Sequence, residues 1–88
     1  MIKRTVKVKN AAGLHTRPAA VLVQCASEFE SEFFIHMYGY RINGKSILGV
    51  MTLAADQGSE MELELDGPDE KEALQAIVRL FENEFDEN

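Results

Sequence analysis

The chain has one cysteine, Cys25, two prolines and no tryptophan. A single thiol closes no intramolecular disulfide and makes a poor metal site, so Cys25 is expected as a small buried hydrophobe and no metal is called for. No apolar run approaches the ~18 residues of a membrane-spanning helix, and MIKRTVKVKN at the start carries no apolar segment followed by a small-residue cleavage site. These absences predict a cytoplasmic protein with no membrane insertion. Acid is also missing from the first third: residues 1–27 hold Lys3, Arg4, Lys7, Lys9 and Arg17 and neither Asp nor Glu.

Residues 28–88 hold fifteen acids against Arg41, Lys45, Lys71 and Arg79, so a local charge of +5 is followed by −11, within a total of −6. The total argues against nucleic acid as a partner, while the positive third could draw in a phosphoryl group or an acidic protein. The same lysines could instead blunt an exposed sheet edge. At 88 residues the chain suffices for a single domain over 1–88.

Ile2, Val6 and Val8 alternate with Lys3, Thr5, Lys7 and Lys9, which reads as a strand with one wet face, Arg4 being the exception on its apolar side. AAGLH breaks the alternation. Ala19, Leu22, Val23 and Ala26 then follow helical spacing, predicting a helix from Thr16 to about Ser27 with His15 as its cap residue and Pro18 tolerated in the first turn. Phe33, Ile35 and Met37 alternate with Glu32, Phe34 and His36, and Tyr38-Gly39 turns the chain into Tyr40-Arg41-Ile42, a hairpin. Ser46 is placed as N-cap of a second helix through Ile47, Val50, Met51 and Ala54 that Gly58 terminates. MELELD is a fourth strand, and Asp69 with Glu72 forms a capping box for a last helix whose stripe is Ala73, Leu74, Ile77, Val78, Phe81 and Phe85. The terminal Asp86-Glu87-Asn88 is expected to fray. The order β-α-β-β-α-β-α with half-polar strands predicts an α+β open-faced sandwich: a mostly antiparallel four-stranded sheet with three helices on one face.

Gly39 to Ser46, GYRINGKS, matches the phosphate-cradling GxxxxGK(S/T) pattern. In a nucleotide site those variable residues form a loop between a buried strand and a helix, whereas YRIN here is the return strand of the hairpin, so nucleotide binding is not expected. His15 and Ser46 each precede a helix. The amide groups and positive dipole end there favour an anion, and for His15 they favour the neutral ring that can act as a nucleophile. Arg17 adds a guanidinium suited to phosphate oxygens. Read as residues alone, His15 is either such a nucleophile or a loop histidine that caps and fills space, and Ser46 is an ordinary N-cap. His36 reads as solvated, and Glu60, Glu62 and Glu64 as one wet sheet face. Ala20, Gln24 and Ser27 on the first helix, with Leu48 and Met51 on the second, are either core edge or a docking patch.

GLHTRPA followed by GKSILGVMTLAADQGSE resembles the HPr family, the histidine-containing phosphocarriers of the phosphoenolpyruvate-dependent phosphotransferase system, over nearly the whole chain. The resemblance implies an open-faced β-sandwich and a phosphoryl carrier that needs no cofactor and is not itself an enzyme. It implies that His15 takes a phosphoryl group from phosphorylated enzyme I and passes it to an enzyme IIA domain in sugar uptake or its regulation, with Arg17 assisting. Ser46 then becomes a regulatory phosphorylation site where an HPr kinase/phosphorylase exists. The partner surface maps to Ala20, Gln24, Ser27, Ile47, Leu48, Gly49 and Met51 on a monomeric carrier. Two departures stand out: Thr16 replaces the usual alanine beside the histidine, where its hydroxyl could reach the phosphoryl group, and Ala20 lacks a hydroxyl common among relatives. AADQGSEMELELDGPDEKEA also resembles the nitrogen-linked regulatory branch, which leaves open a binding module outside sugar transport.

Overall fold

Four strands form one antiparallel sheet in the order β1-β4-β2-β3, in a computed structural model that describes residues 1–86. The elements are β1 Ile2–Lys7, α1 Thr16–Ser27, β2 Glu32–Met37, β3 Tyr40–Asn43, α2 Ile47–Thr52, β4 Glu60–Asp66 and α3 Glu70–Glu82, followed by a short 3₁₀ turn, Glu84–Asp86. The predicted element order and the open-faced α+β sandwich are what the chain adopts, and the three helices share one face of the sheet. Phe33, Ile35, Met61, Leu63 and Leu65 from the strands meet Leu22, Ala26, Ile77, Val78 and Phe81 from the helices in one core. Glu87 and Asn88, expected to fray, lie outside the described residues.

The last strand in sequence inserts between the first two, which explains where the charge asymmetry goes. β1 pairs with β4 so that Lys3 stands opposite Glu64, Thr5 opposite Glu62 and Lys7 opposite Glu60. Lys3 Nζ comes within 3.9 Å of Glu62 Oε1. Basic and acidic thirds thus meet across the sheet, and cross-strand pairs of opposite sign favour this register.

Hairpin β2-β3 turns through Tyr38 and Gly39 at φ 55° and 80°, the paired left-handed geometry that fits strand twist. YRIN is β3, as its alternation predicts. Lys45 donates its ammonium to the Phe29 carbonyl at 2.8 Å, a structural bond unlike the phosphate contact of a nucleotide loop.

Four expectations are corrected. α2 stops at Thr52 instead of running through Ala54: bonds from Leu53 N to Val50 O and from Ala54 N to Met51 O tighten its end, and Ala54 turns to φ 46°. Asp69 precedes α3 but does not cap it; its carboxylate reaches across to accept from the amides of Glu30 and Ser31, at 2.9 Å each, while Glu70 accepts from Gly67 N. The last apolar stripe leaves the helix before Phe85, where three residues take left-handed φ of 53°, 53° and 59°, yet Phe85 still packs edge-on to Phe81 with ring centroids 5.0 Å apart. Cys25 is half-buried rather than buried, and desolvation pushes its thiol pKa up.

A fifth correction is chemical in its consequences: the wet face of β4 is not uniformly wet. Glu60 is exposed but Glu64 is buried, 5% accessible, between His36 and Arg41. Glu64 Oε1 accepts from His36 Nε2 at 2.6 Å and Oε2 from Arg41 Nη2 at 3.1 Å, so His36 is a structural partner and not a solvated residue. An ionised carboxylate only accepts, which places the ring proton on Nε2. Arg41 also lies 3.6 Å from the centroid of Phe34. Bonds from Arg41 first and His36 second pull the Glu64 pKa down from 4.5 to about 2. Because the folded value lies below the unfolded one, the stabilisation is complete above pH 4.5 and fades as pH falls toward 2. Glu64→Gln is expected to cost about 2 kcal/mol at neutral pH, as charged hydrogen bonds do, with a penalty that shrinks across that acid window. Urea unfolding of both proteins at several pH values tests this; a penalty independent of pH would contradict it.

Candidate functional site

The mouth of α1 is built by a loop that folds back on itself before the helix begins. Asn10 is buried and donates Nδ2 to the Gly13 carbonyl at 2.7 Å, while Gly13 N donates to the Asn10 carbonyl at 3.1 Å. Leu14 sinks into the core, and its amide donates to the Ala55 carbonyl at 2.8 Å. The break at AAGLH is therefore a pinned turn, docked on the chain that leaves α2.

Gly13 sits at φ +74°, and a Cβ there would lie 2.4 Å from the Ala55 carbonyl oxygen. Both the left-handed backbone and the close approach require glycine. Gly13→Ala is expected to destabilise the fold by about 2–3 kcal/mol, the scale of a strained backbone residue, and to displace His15 with its loop. Thermal unfolding with amide shifts of residues 10–15 is the check; an unchanged melting temperature would count against the pin.

His15 emerges from this turn extended, at φ −82° and ψ −165°, as N-cap of α1. Its carbonyl accepts the first helical bond, from Ala19 N at 2.9 Å, while its side chain makes no capping hydrogen bond. The imidazole is exposed at a helix end whose first-turn amides have no carbonyl inside the helix to bind. Thr16 and Arg17 are exposed beside it and Pro18 is buried beneath. Arg17 Nη1 donates, at 3.4 Å, to the carbonyl of Phe85. That long bond leads from the histidine turn to the left-handed end of the chain, a link no local pattern announces.

Of the other residues singled out in the sequence, Ala20, Gln24 and Ser27 are exposed along one stripe of α1. Leu48 is 75% exposed, Ile47 and Met51 are a little over a third exposed, and Gly49 is half-buried. α1 and α2 pack against each other, so the two stripes lie on neighbouring helices. Ser46 caps α2 through its hydroxyl, which accepts from Gly49 N at 3.1 Å. Among the described residues no helix is long and apolar enough to cross a membrane.

This geometry meets known proteins over its full length. The family model PTS-HPr, described as the PTS HPr component phosphorylation site, matches residues 2–83. The chain belongs to the HPr family. It is 54% identical over 87 residues to the phosphocarrier protein HPr of Treponema pallidum (strain Nichols), covering 99% of each chain. The crystal structure of HPr-C-His from Thermoanaerobacter tengcongensis superposes with a TM-score of 0.96 at 43% identity, over 100% of this chain and 99% of that one. A swapped dimer of Crh, the Bacillus subtilis catabolite repression protein, aligns at a TM-score of 0.76 and 40% identity over 96% and 97%. HPr proteins are carriers within the phosphotransferase system rather than catalysts.

Proposed function

We propose that this HPr chain carries a phosphoryl group on His15, received from phosphorylated enzyme I and delivered to an enzyme IIA domain in sugar uptake or its regulation. The observation that carries the reading is an imidazole exposed at the mouth of α1 with its side chain spared from capping. A ring nitrogen attacks the donor's phosphohistidine; the donor's P–N bond breaks and its electron pair returns to the donor ring. Phosphohistidine replaces phosphohistidine, so orientation and charge stabilisation suffice and no cofactor enters. The phosphate would lie against the first-turn amides, with Thr16 Oγ1 within one residue and Arg17 able to exchange its long bond to Phe85 for a charged one.

Ala20, Gln24, Ser27, Ile47, Leu48, Gly49 and Met51 would form the docking face of a monomeric, cytoplasmic carrier domain spanning 1–88. Ser46 would be the regulatory site for an HPr kinase/phosphorylase. A phosphate there adds about −1.5 to −2 charge beside the exposed Leu48 and opposes an acidic partner by repulsion and desolvation. A purely regulatory role, nitrogen-linked or dependent on Ser46 phosphorylation, is the second reading; similarity to Crh, a catabolite repression protein, favours it.

The test is incubation with enzyme I and labelled phosphoenolpyruvate. One acid-labile, alkali-stable phosphate per chain, mapped to His15 by mass spectrometry, is expected; phosphate stable to acid, or none, overturns the carrier reading.

A further inference from the structure

β1 is an edge strand: in the sheet order β1-β4-β2-β3 it pairs, among the described residues, with β4 alone and has no strand on its other side. Beyond the strand, Val8 donates to the Ser59 carbonyl and accepts from Gly58 N, so the even residues turn their backbone groups toward β4. Antiparallel alternation then points the N–H and C=O groups of Lys3, Thr5 and Lys7 outward.

Along this edge runs a cleft of about 170 Å³, walled on one side by β1 and on the other by Val78, Phe81 and Glu82 of α3. Consecutive β1 residues line it, Arg4 and Val6 from the helix-covered face together with Thr5 and Lys7 from the open face. Residues of both parities can share one cleft only if it follows the strand edge itself. Arg4 explains its odd place in the hydrophobic alternation here. It stands in register with the core residue Leu63, on the covered face, yet is exposed because that face ends at the cleft. Arg4, Lys7 and Lys9 make the cleft basic, and among the described residues none of the three forms an ion pair.

We propose that the β1–α3 cleft docks an extended acidic segment of a partner protein, which adds to the sheet as a fifth strand. Outward backbone groups supply the ladder and the three cations select acidic side chains, over a floor of Val78 and Phe81 that is itself buried, 5% and 2% exposed. A second copy of this chain does not fit: pairing β1 with β1 sets Lys3, Arg4, Lys7 and Lys9 against their own kind. A long polyanion does not fit either, since beyond the cleft it meets a surface whose residues 28–88 carry −11. The proposal stands apart from the carrier reading, because the cleft contains neither His15 nor α2.

The probe is an end-blocked heptapeptide of alternating glutamate and valine, titrated into the ¹⁵N-labelled protein, with a lysine–valine peptide and inorganic phosphate as controls. Expected are shifts and slowed amide exchange at Lys3, Thr5 and Lys7, with shifts at Val78 and Phe81. Affinity should fall about tenfold in the double variant Arg4→Glu, Lys7→Glu, and again between about 50 and 500 mM salt. Both substituted side chains are surface groups, and circular dichroism verifies the fold; charge-neutral Arg4→Gln supplies a second variant with an intermediate loss. The proposal is overturned if millimolar peptide leaves the β1 amides unmoved, if the lysine peptide or phosphate alone reproduces the shifts, or if they map to the α1–α2 face.

Discussion

His15→Ala is expected to reduce enzyme I-dependent labelling to background while leaving the fold intact. The chain has two histidines, and the structure separates them chemically. His36 is half-buried in the sheet with Nε2 at 2.6 Å from Glu64, where taking a phosphoryl group would break the bond that holds the buried carboxylate. His15 is exposed and its side chain caps nothing. Truncation at an N-cap ordinarily costs about 1 kcal/mol because a capping bond to the helix is lost; the His15 side chain makes no such capping bond, so the cost should stay below that figure. The combination of full loss of label and a nearly unchanged unfolding curve distinguishes a chemical role from a structural one. Label that persists in His15→Ala and disappears in His36→Ala would transfer the site to the sheet and sink the proposal.

What could be read in advance follows from how local each determinant is. Element order and sandwich class rest on periodicities of two and 3.6, which Phe33-Ile35-Met37 and Ala19-Leu22-Ala26 display within a few residues, and both survive folding. The N-cap positions of His15 and Ser46 are likewise local. Bonds between distant segments were not legible. Glu64 alternates like its neighbours Glu60 and Glu62, and only the strand order, which brings β2 and β3 beside β4, buries it under His36 and Arg41. Asp69 has the spacing of a capping box, but two amides of the turn at Glu30 and Ser31 outcompete those of its own helix. The early stop of α2 has the same origin: past Ala54, which turns to φ 46°, Ala55 is drawn into the core and lends its carbonyl to Leu14. At the candidate site, then, His15, Thr16 and Arg17 were visible as a motif, whereas the Asn10–Gly13–Ala55 pin and the Phe85 carbonyl that hold the motif in place were not.

Leu48→Asp should raise the enzyme I concentration needed for half-maximal phosphorylation about a hundredfold and leave the saturated rate unchanged. Leu48 is the most exposed large hydrophobe in the described chain, 75% accessible, and replacing it removes no core contact, so the isolated protein should lose less than about 0.5 kcal/mol. In a docked complex the same side chain is worth about 1.5–3 kcal/mol of burial, and an aspartate in its place must shed water without a partner. Together these give about 3 kcal/mol, or roughly two orders of magnitude in affinity. The chemistry at His15 is a separate matter. Once docked, the donor phosphate meets the same imidazole and the same helix mouth, so the loss belongs to binding and appears in half-saturation rather than turnover. Half-saturation unchanged within about twofold would remove α2 from the docking face. A fall in the saturated rate would mean instead that Leu48 sets the angle at which the two histidines meet, leaving the face where it is but giving it a part in orientation.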